Sequence, residues 1–288
     1  MMKNKTYKFG FFGSSSFSIA VLNELEKHKI LPTVIITTPD KPKGRNLIMT
    51  PSDTKVWGDT RQIPVLCPEK LSDPDFQKTL KEYNCEVFVV ASYGKIIPES
   101  ILYMPKEKTL NIHPSLLPAY RGASPIQSMI LADETSIGVS IMELDKEMDH
   151  GPIVIKQEVL PVSWPLYEEQ AELLLATEGG KILAELLPQW LNKQMPTTPQ
   201  EHSKATYTKK FTKEDGLLDL SNNPRTNYLK ILAFHRSPKA YFFDEYNGQQ
   251  IRVIVTSARF ENQNLVIEKV IPEGKKEMLY TDYLRGKK

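Results

Sequence analysis

The stretch YKFGFFGSSSFSIAVLNELEK, residues 7–27, decides the fold class. Its first six residues form a short apolar and aromatic run of the kind that fills a strand covered on both faces. Gly13 and three serines follow as a turn whose hydroxyls can cap a helix, and residues 17–27 carry apolar side chains at helical spacing. The same grammar recurs downstream. TVIITT (33–38), EVFVVA (86–91) and TLNI (109–112) are strand-like runs separated by helical segments. Strands alternating with helices imply a mostly parallel sheet with helices on both faces, so the expected class is α/β.

Further along, IGVSIMEL (137–144) and PIVIKQ (152–157) add two strands, and residues 166–192 form a long helical stretch. The composition then shifts. LNKQMPTTPQEHSKATYTKKF (191–211) holds two prolines among many polar residues and reads as a linker. Beyond it, one helix near 225–234 and short strand-like pieces at 240–243, 250–260 and 264–270 suggest a small antiparallel sheet or partial barrel. The expected organisation is therefore a large α/β domain over 1–187, a linker over 188–205 and a small β-rich domain over 206–288.

A chain of 288 residues favours two domains, and 40% hydrophobic with 25% charged residues is ordinary for a globular protein. No apolar run approaches the roughly 18 residues a membrane helix needs, and the N-terminus breaks into glycine and serines too early for a signal peptide. A cytoplasmic protein without membrane association is expected. Cys67 and Cys85 cannot form a disulfide framework and sit in no Cys-rich or His-rich cluster, so both read as structural thiols and no metal is expected. The net charge of +2 conceals an asymmetry: residues 203–288 carry 16 basic and 10 acidic side chains. Such a tail is either random surface composition or the footprint of a polyanion partner.

The chemistry starts from what is missing. The turn at Gly13 offers one glycine where a dinucleotide fingerprint needs three. Neither a phosphate-binding G-x-x-x-x-G-K-[ST] loop nor a G-x-S-x-G nucleophile elbow occurs. What remains is NIHPSLLPAYRGASPIQ (111–127) and LDKEMDHGPI (144–153), each directly after an expected strand. Asn111 and His113 are two apart, so they project from the same face of their strand. Ligands of open α/β sheets collect beyond the carboxyl ends of the strands, where both segments lie. An Asn amide there can donate to a developing oxyanion, a His can stabilise charge or relay a proton, and an Asp can orient the His or accept a proton. That trio suits attack of an amine on a carbonyl without an enzyme nucleophile. Spacing alone leaves a plainer reading open, in which Asn-x-His caps a turn and Asp149 makes an Asx-turn before Gly151.

Taken together, NIHPSLLPAYRGASPIQ and GVSIMELDKEMDHGPI resemble the folate-dependent formyltransferases. The resemblance implies a Rossmann-like domain that takes a formyl group from 10-formyltetrahydrofolate and gives it to an amine, with an OB-like, incomplete C-terminal domain. By that resemblance Asn111, His113 and Asp149 are the catalytic residues. Ser115, Leu116, Leu117 and Pro118 match the loop that contacts the folate, and YGKIIP (93–98), with Tyr93, Gly94 and Ile96, a segment lining the same cavity.

Branches of this family differ in the acceptor. TTPDKPKGRNLIMTPSDTKV (37–56), RGASPIQ and ATYTKKFTKEDGLLDL (205–220) resemble the branch whose acceptor is initiator methionyl-tRNA in translation initiation. That implies substrate contacts from Lys41, Lys43, Arg45 and Arg121, RNA binding by the basic tail, and a monomer. Two departures stand out: Gly44-Arg45 is followed by Asn46-Leu47-Ile48 where further basic residues are usual, and the C-terminal domain is short. The alternative acceptor is a nucleotide-linked amino sugar, and a more distant alternative is a non-catalytic folate or RNA binder.

Overall fold

The computed structural model describes residues 7–43, 47–246 and 248–287. In chain order its first elements are β1 (Phe9–Phe12), α1 (Ser16–Lys27), β2 (Val34–Ile36), β3 (Lys41–Lys43), β4 (Ile48–Thr50), α2 (Asp53–Asp59), β5 (Val65–Leu66) and α3 (Pro74–Glu82). Next come β6 (Val87–Val90), α4 (Glu99–Leu102), β7 (Thr109–His113), β8 (Arg121–Gly122), α5 (Pro125–Leu131), β9 (Ile137–Glu143), β10 (Ile153–Val159) and α6 (Glu168–Leu191). The tail holds β11 (Tyr207–Thr208), α7 (Pro224–Ala233), β12 (Tyr241–Tyr246), β13 (Gln249–Glu261), β14 (Asn264–Pro272), β15 (Met278–Leu279) and α8 (Tyr280–Arg285).

A seven-stranded sheet has the order β10-β9-β7-β6-β1-β2-β5. The pairs β1–β2, β1–β6, β2–β5 and β6–β7 are parallel. β9 runs antiparallel to β7, so the sheet is mixed at that side. The inner strands are apolar because both faces are covered: every residue of β1, β2 and β6 is buried. On one face Phe12, Phe88 and Tyr93 pack edge to face with Val34, Ile36, Leu80 and Ile101 around them. The serine turn caps α1 from within: Ser18 Oγ accepts from the Ser14 and Ser15 N–H groups and donates to the Ala91 carbonyl at 2.6 Å.

The described chain divides into two compact units. The larger draws on residues 1–121, 138–159 and 173–206, the smaller on 122–137, 160–172 and 207–288. Two segments that the sequence reading assigned to the first domain thus pack in the smaller unit. The reason is a set of side-chain pairings: Arg225 meets Asp133 at 2.6 Å, Arg236 meets Glu168 at 2.5 Å and also Glu172, and α5 packs on α7. In that unit the antiparallel sheet β12-β13-β14-β15 has two edges, so it is open rather than a closed barrel. The expected linker also differs from expectation. α6 continues to Leu191, and residues up to 206 belong to the larger unit. No helix among the described residues is long and apolar enough to cross a membrane.

Candidate active site

β7 supplies two of the three polar groups. Alternation along the strand places Asn111 and His113 on one face, 9% and 4% exposed, and both reach the same oxygen of Asp149. Asn111 Nδ2 lies 3.4 Å from Asp149 Oδ1 and His113 Nδ1 3.6 Å from it. These are long contacts, so the Asn111 amide can turn toward a ligand without breaking a strong bond. The other ring nitrogen is fixed. His113 Nε2 lies 2.9 Å from the Tyr120 carbonyl, which can only accept, so Nε2 carries a proton and Nδ1 faces the carboxylate.

Asp149 arrives on the turn between β9 and β10. Its backbone is left-handed, with φ of 50°, and Gly151 follows in a space without room for a side chain. A Cβ there would sit 2.1 Å from the Glu143 carbonyl oxygen. The turn carries further polar ties: His150 Nδ1 is 2.7 Å from Asp145 Oδ2, and the Glu147 N–H donates to Asp145 Oδ1.

β6 and β7 are parallel neighbours, with Val90 opposite Asn111, so residues 91–98 leave the sheet beside the trio. Gly94 has φ of +77° with open space where a Cβ would stand, and Ile96 is 94% exposed. Leu116 and Pro118 are half-buried. These residues present apolar surface on the segments that follow β6 and β7.

The formyl transferase family matches residues 7–187 of the sequence. This chain belongs to that family. Among curated relatives in it, a methionyl-tRNA formyltransferase of Chloroflexus aggregans is 39% identical over 248 residues, 85% of this chain and 78% of the relative. One from Thermus thermophilus is 35% identical over 274 residues, 93% and 86% of the two chains. Among solved structures, methionyl-tRNA formyltransferase from Clostridium thermocellum superposes with a TM-score of 0.63 at 16% identity, covering 92% of this chain and 98% of its own. A 4-N formyltransferase from Francisella tularensis gives 0.66 at 18% identity, over 88% and 99%. At such identities the two structures attest to the fold of this formyl transferase.

Within the family frame, several side chains expected to contact ligands are core residues. Tyr93 is buried in the cluster of Phe12 and Phe88, where burial pushes its phenol up to about 12, and its hydroxyl has no hydrogen-bond partner among the described residues. Ser115 is buried and donates to the Ala119 carbonyl at 2.6 Å, and Leu117 is fully enclosed. Arg121, expected to contact substrate, is held inside the protein. It is 1% exposed, and its guanidinium donates to Gln200 Oε1 and to His202 Nδ1. Lys41 is exposed on β3, which pairs with β4 as a hairpin, Lys43 closes that strand, and Arg45 lies outside the described residues. Burial raises both thiols, Cys85 to about 11, in keeping with structural cysteines. Gln200 and His202 were missed because the polar, proline-containing composition around them reads as a linker, and no local spacing marks them.

Proposed function

We propose that this formyl transferase moves the formyl group of 10-formyltetrahydrofolate to the free amino group of initiator methionyl-tRNA, acting as a cytoplasmic monomer. The observation that carries the reading is the convergence of Asn111, His113 and Asp149 at the carboxyl end of β7. Curated relatives named methionyl-tRNA formyltransferase, 32–40% identical over most of their length, supply the acceptor.

The residues at the site fit a folate. A pterin needs apolar faces and a backbone that can approach it closely; exposed Ile96 and half-buried Leu116 and Pro118 supply apolar surface, and Gly94 leaves open space where a side chain would stand. When bound, the folate supplies an activated formyl carbonyl. Asn111 Nδ2 then donates to the acyl oxygen as negative charge builds on it, a donor worth about 3 kcal/mol in a water-poor site. His113 adds positive charge there when its Nδ1 is protonated, while the Tyr120 carbonyl keeps the ring from rotating. Asp149 would hold His113 and take up the proton that the attacking amine loses, directly or through a water; as the new carbon–nitrogen bond forms, the bond from the formyl carbon to the folate nitrogen breaks and that proton passes to the leaving nitrogen, giving tetrahydrofolate.

The acceptor meets a different surface. The hairpin of β3 and β4 follows β2, on the edge of the sheet where the parallel strands end, and it exposes Lys41, Leu47, Ile48 and Met49. The tail, with 16 basic against 10 acidic residues, supplies charge for phosphates. The test incubates purified protein with 10-formyltetrahydrofolate and either charged initiator tRNA or a panel of nucleotide-linked amino sugars. Formylmethionyl-tRNA is the expected product; formylation of a sugar alone would overturn the choice of acceptor.

A further inference from the structure

The segment after α6 does not merely connect. Thr198 exchanges two backbone hydrogen bonds of 2.8 Å with Ile153 at one end. At the other, Thr206 accepts from the backbone of Tyr120 and Arg121, through its Oγ1 at 2.8 Å and its carbonyl at 2.9 Å. Between these anchors Gln200 is 5% exposed and uses both ends of its amide. Its Nε2 donates to the Asp149 carbonyl at 2.9 Å and to the Gly151 carbonyl at 2.7 Å. Its Oε1 accepts from Arg121 Nε at 3.1 Å and Nη2 at 2.6 Å. The residue between those two carbonyls, His150, stacks flat on His202, with ring centroids 4.1 Å apart. Arg121 Nη2 in turn donates to His202 Nδ1 at 2.9 Å.

The turn that presents Asp149 is therefore held at three successive residues, by two carbonyl bonds and a ring stack. The same strap holds Tyr120, whose carbonyl orients His113. We propose that Gln200 is a positioning residue for formyl transfer, setting with Arg121 and His202 the distance between the Asp149 carboxylate and the His113 ring. Side chains that orient catalytic groups are as exacting as the groups themselves, since a displacement of about 1 Å can lower turnover roughly 100-fold. A primary amide is the side chain suited to this point. It donates twice to carbonyls while accepting from a guanidinium, whereas a carboxylate keeps only the acceptor. Arg121 thereby acquires a role beside Gln200 in place of a substrate contact.

The inference rests on the catalytic reading above, and one experiment separates the two. Gln200→Glu retains size and the Arg121 partner but removes both donors to the turn. Formyl transfer is measured with charged initiator tRNA, and the His113 imidazole is followed by NMR, assigned with His113→Gln. Expected is a kcat lower by about 30-fold, an apparent KM for folate within about twofold of wild type, and a displaced His113 resonance. A folded Gln200→Glu with wild-type kcat and an unmoved His113 resonance would overturn the proposal. If wild-type protein forms no formylated product, the catalytic reading fails, and the imidazole signal still decides whether Gln200 sets the geometry. Should Gln200→Glu not fold, Gln200→Met, similar in volume and lacking both polar atoms, carries the same comparison.

Discussion

Two loops of the larger unit have opposite construction. The turn carrying Asp149 is tied at nearly every residue: Asp145 holds Glu147 and His150, Gln200 holds the carbonyls of 149 and 151, and Gly151 sits where no Cβ fits. The hairpin of β3 and β4 is a two-stranded ribbon outside the main sheet. It exposes Leu47, Ile48 and Met49 at 70%, 64% and 59%. The contrast matches the roles proposed for each. Proton transfer and charge stabilisation tolerate little positional error, so polar groups there are immobilised by other polar groups. Contact with a large acceptor rewards surface that can adapt, and unbranched or flexible apolar side chains such as Met and Leu do so.

The sharpest way to break this contrast is at the trio. His113→Ala or Asn111→Ala should lower kcat by about 200-fold, roughly 3 kcal/mol of transition-state stabilisation, with folate affinity by titration calorimetry within about threefold. Unchanged turnover in both variants would remove their assigned roles. Gly151→Ala tests the rigidity of the turn from its backbone. The added methyl meets the Glu143 carbonyl oxygen, so unfolding in urea should show a loss of about 3 kcal/mol with turnover also reduced. A stable, fully active variant would show that the turn can yield.

On the other side of the comparison, replacing Leu47, Ile48 and Met49 together with Ser should raise the KM for charged tRNA about tenfold, near 1.4 kcal/mol. Thermal stability should stay unchanged, because these side chains bury little; a fall in melting temperature would mean that the hairpin is part of the core. The smallest effect is expected in the core itself. Tyr93→Phe removes a buried hydroxyl that has no partner among the described residues, so stability should change by less than about 1 kcal/mol and should not fall. A marked loss of folate affinity on that substitution would show that the hydroxyl does contact ligand.

The strands were legible because fully covered strands leave unbroken apolar runs, as in β1, β2 and β6. Alternation likewise made the shared face of Asn111 and His113 readable before any coordinates. Direction was not: a strand's sequence does not encode whether it runs parallel or antiparallel to its neighbour, so the reversal of β9 against β7 had to be seen. Motif position also failed to separate ligand-facing from buried side chains within the 115–121 loop. Irregular backbone has no fixed period, so Ser115, Leu117 and Arg121 turned inward unannounced. Gln200 was hidden for a further reason. Its partners lie 49 to 79 residues away, and its polar, Pro-flanked neighbourhood has the composition of a connector.

The strap also bears on how such a protein can be cut and joined. The family match stops at residue 187, yet the side chain that grips the Asp149 turn lies thirteen positions beyond it, and the larger unit runs on to residue 206. A hybrid that exchanges tails between relatives should be spliced after Thr206. Spliced at the end of the matched region instead, it would inherit a foreign clasp on the turn that carries Asp149.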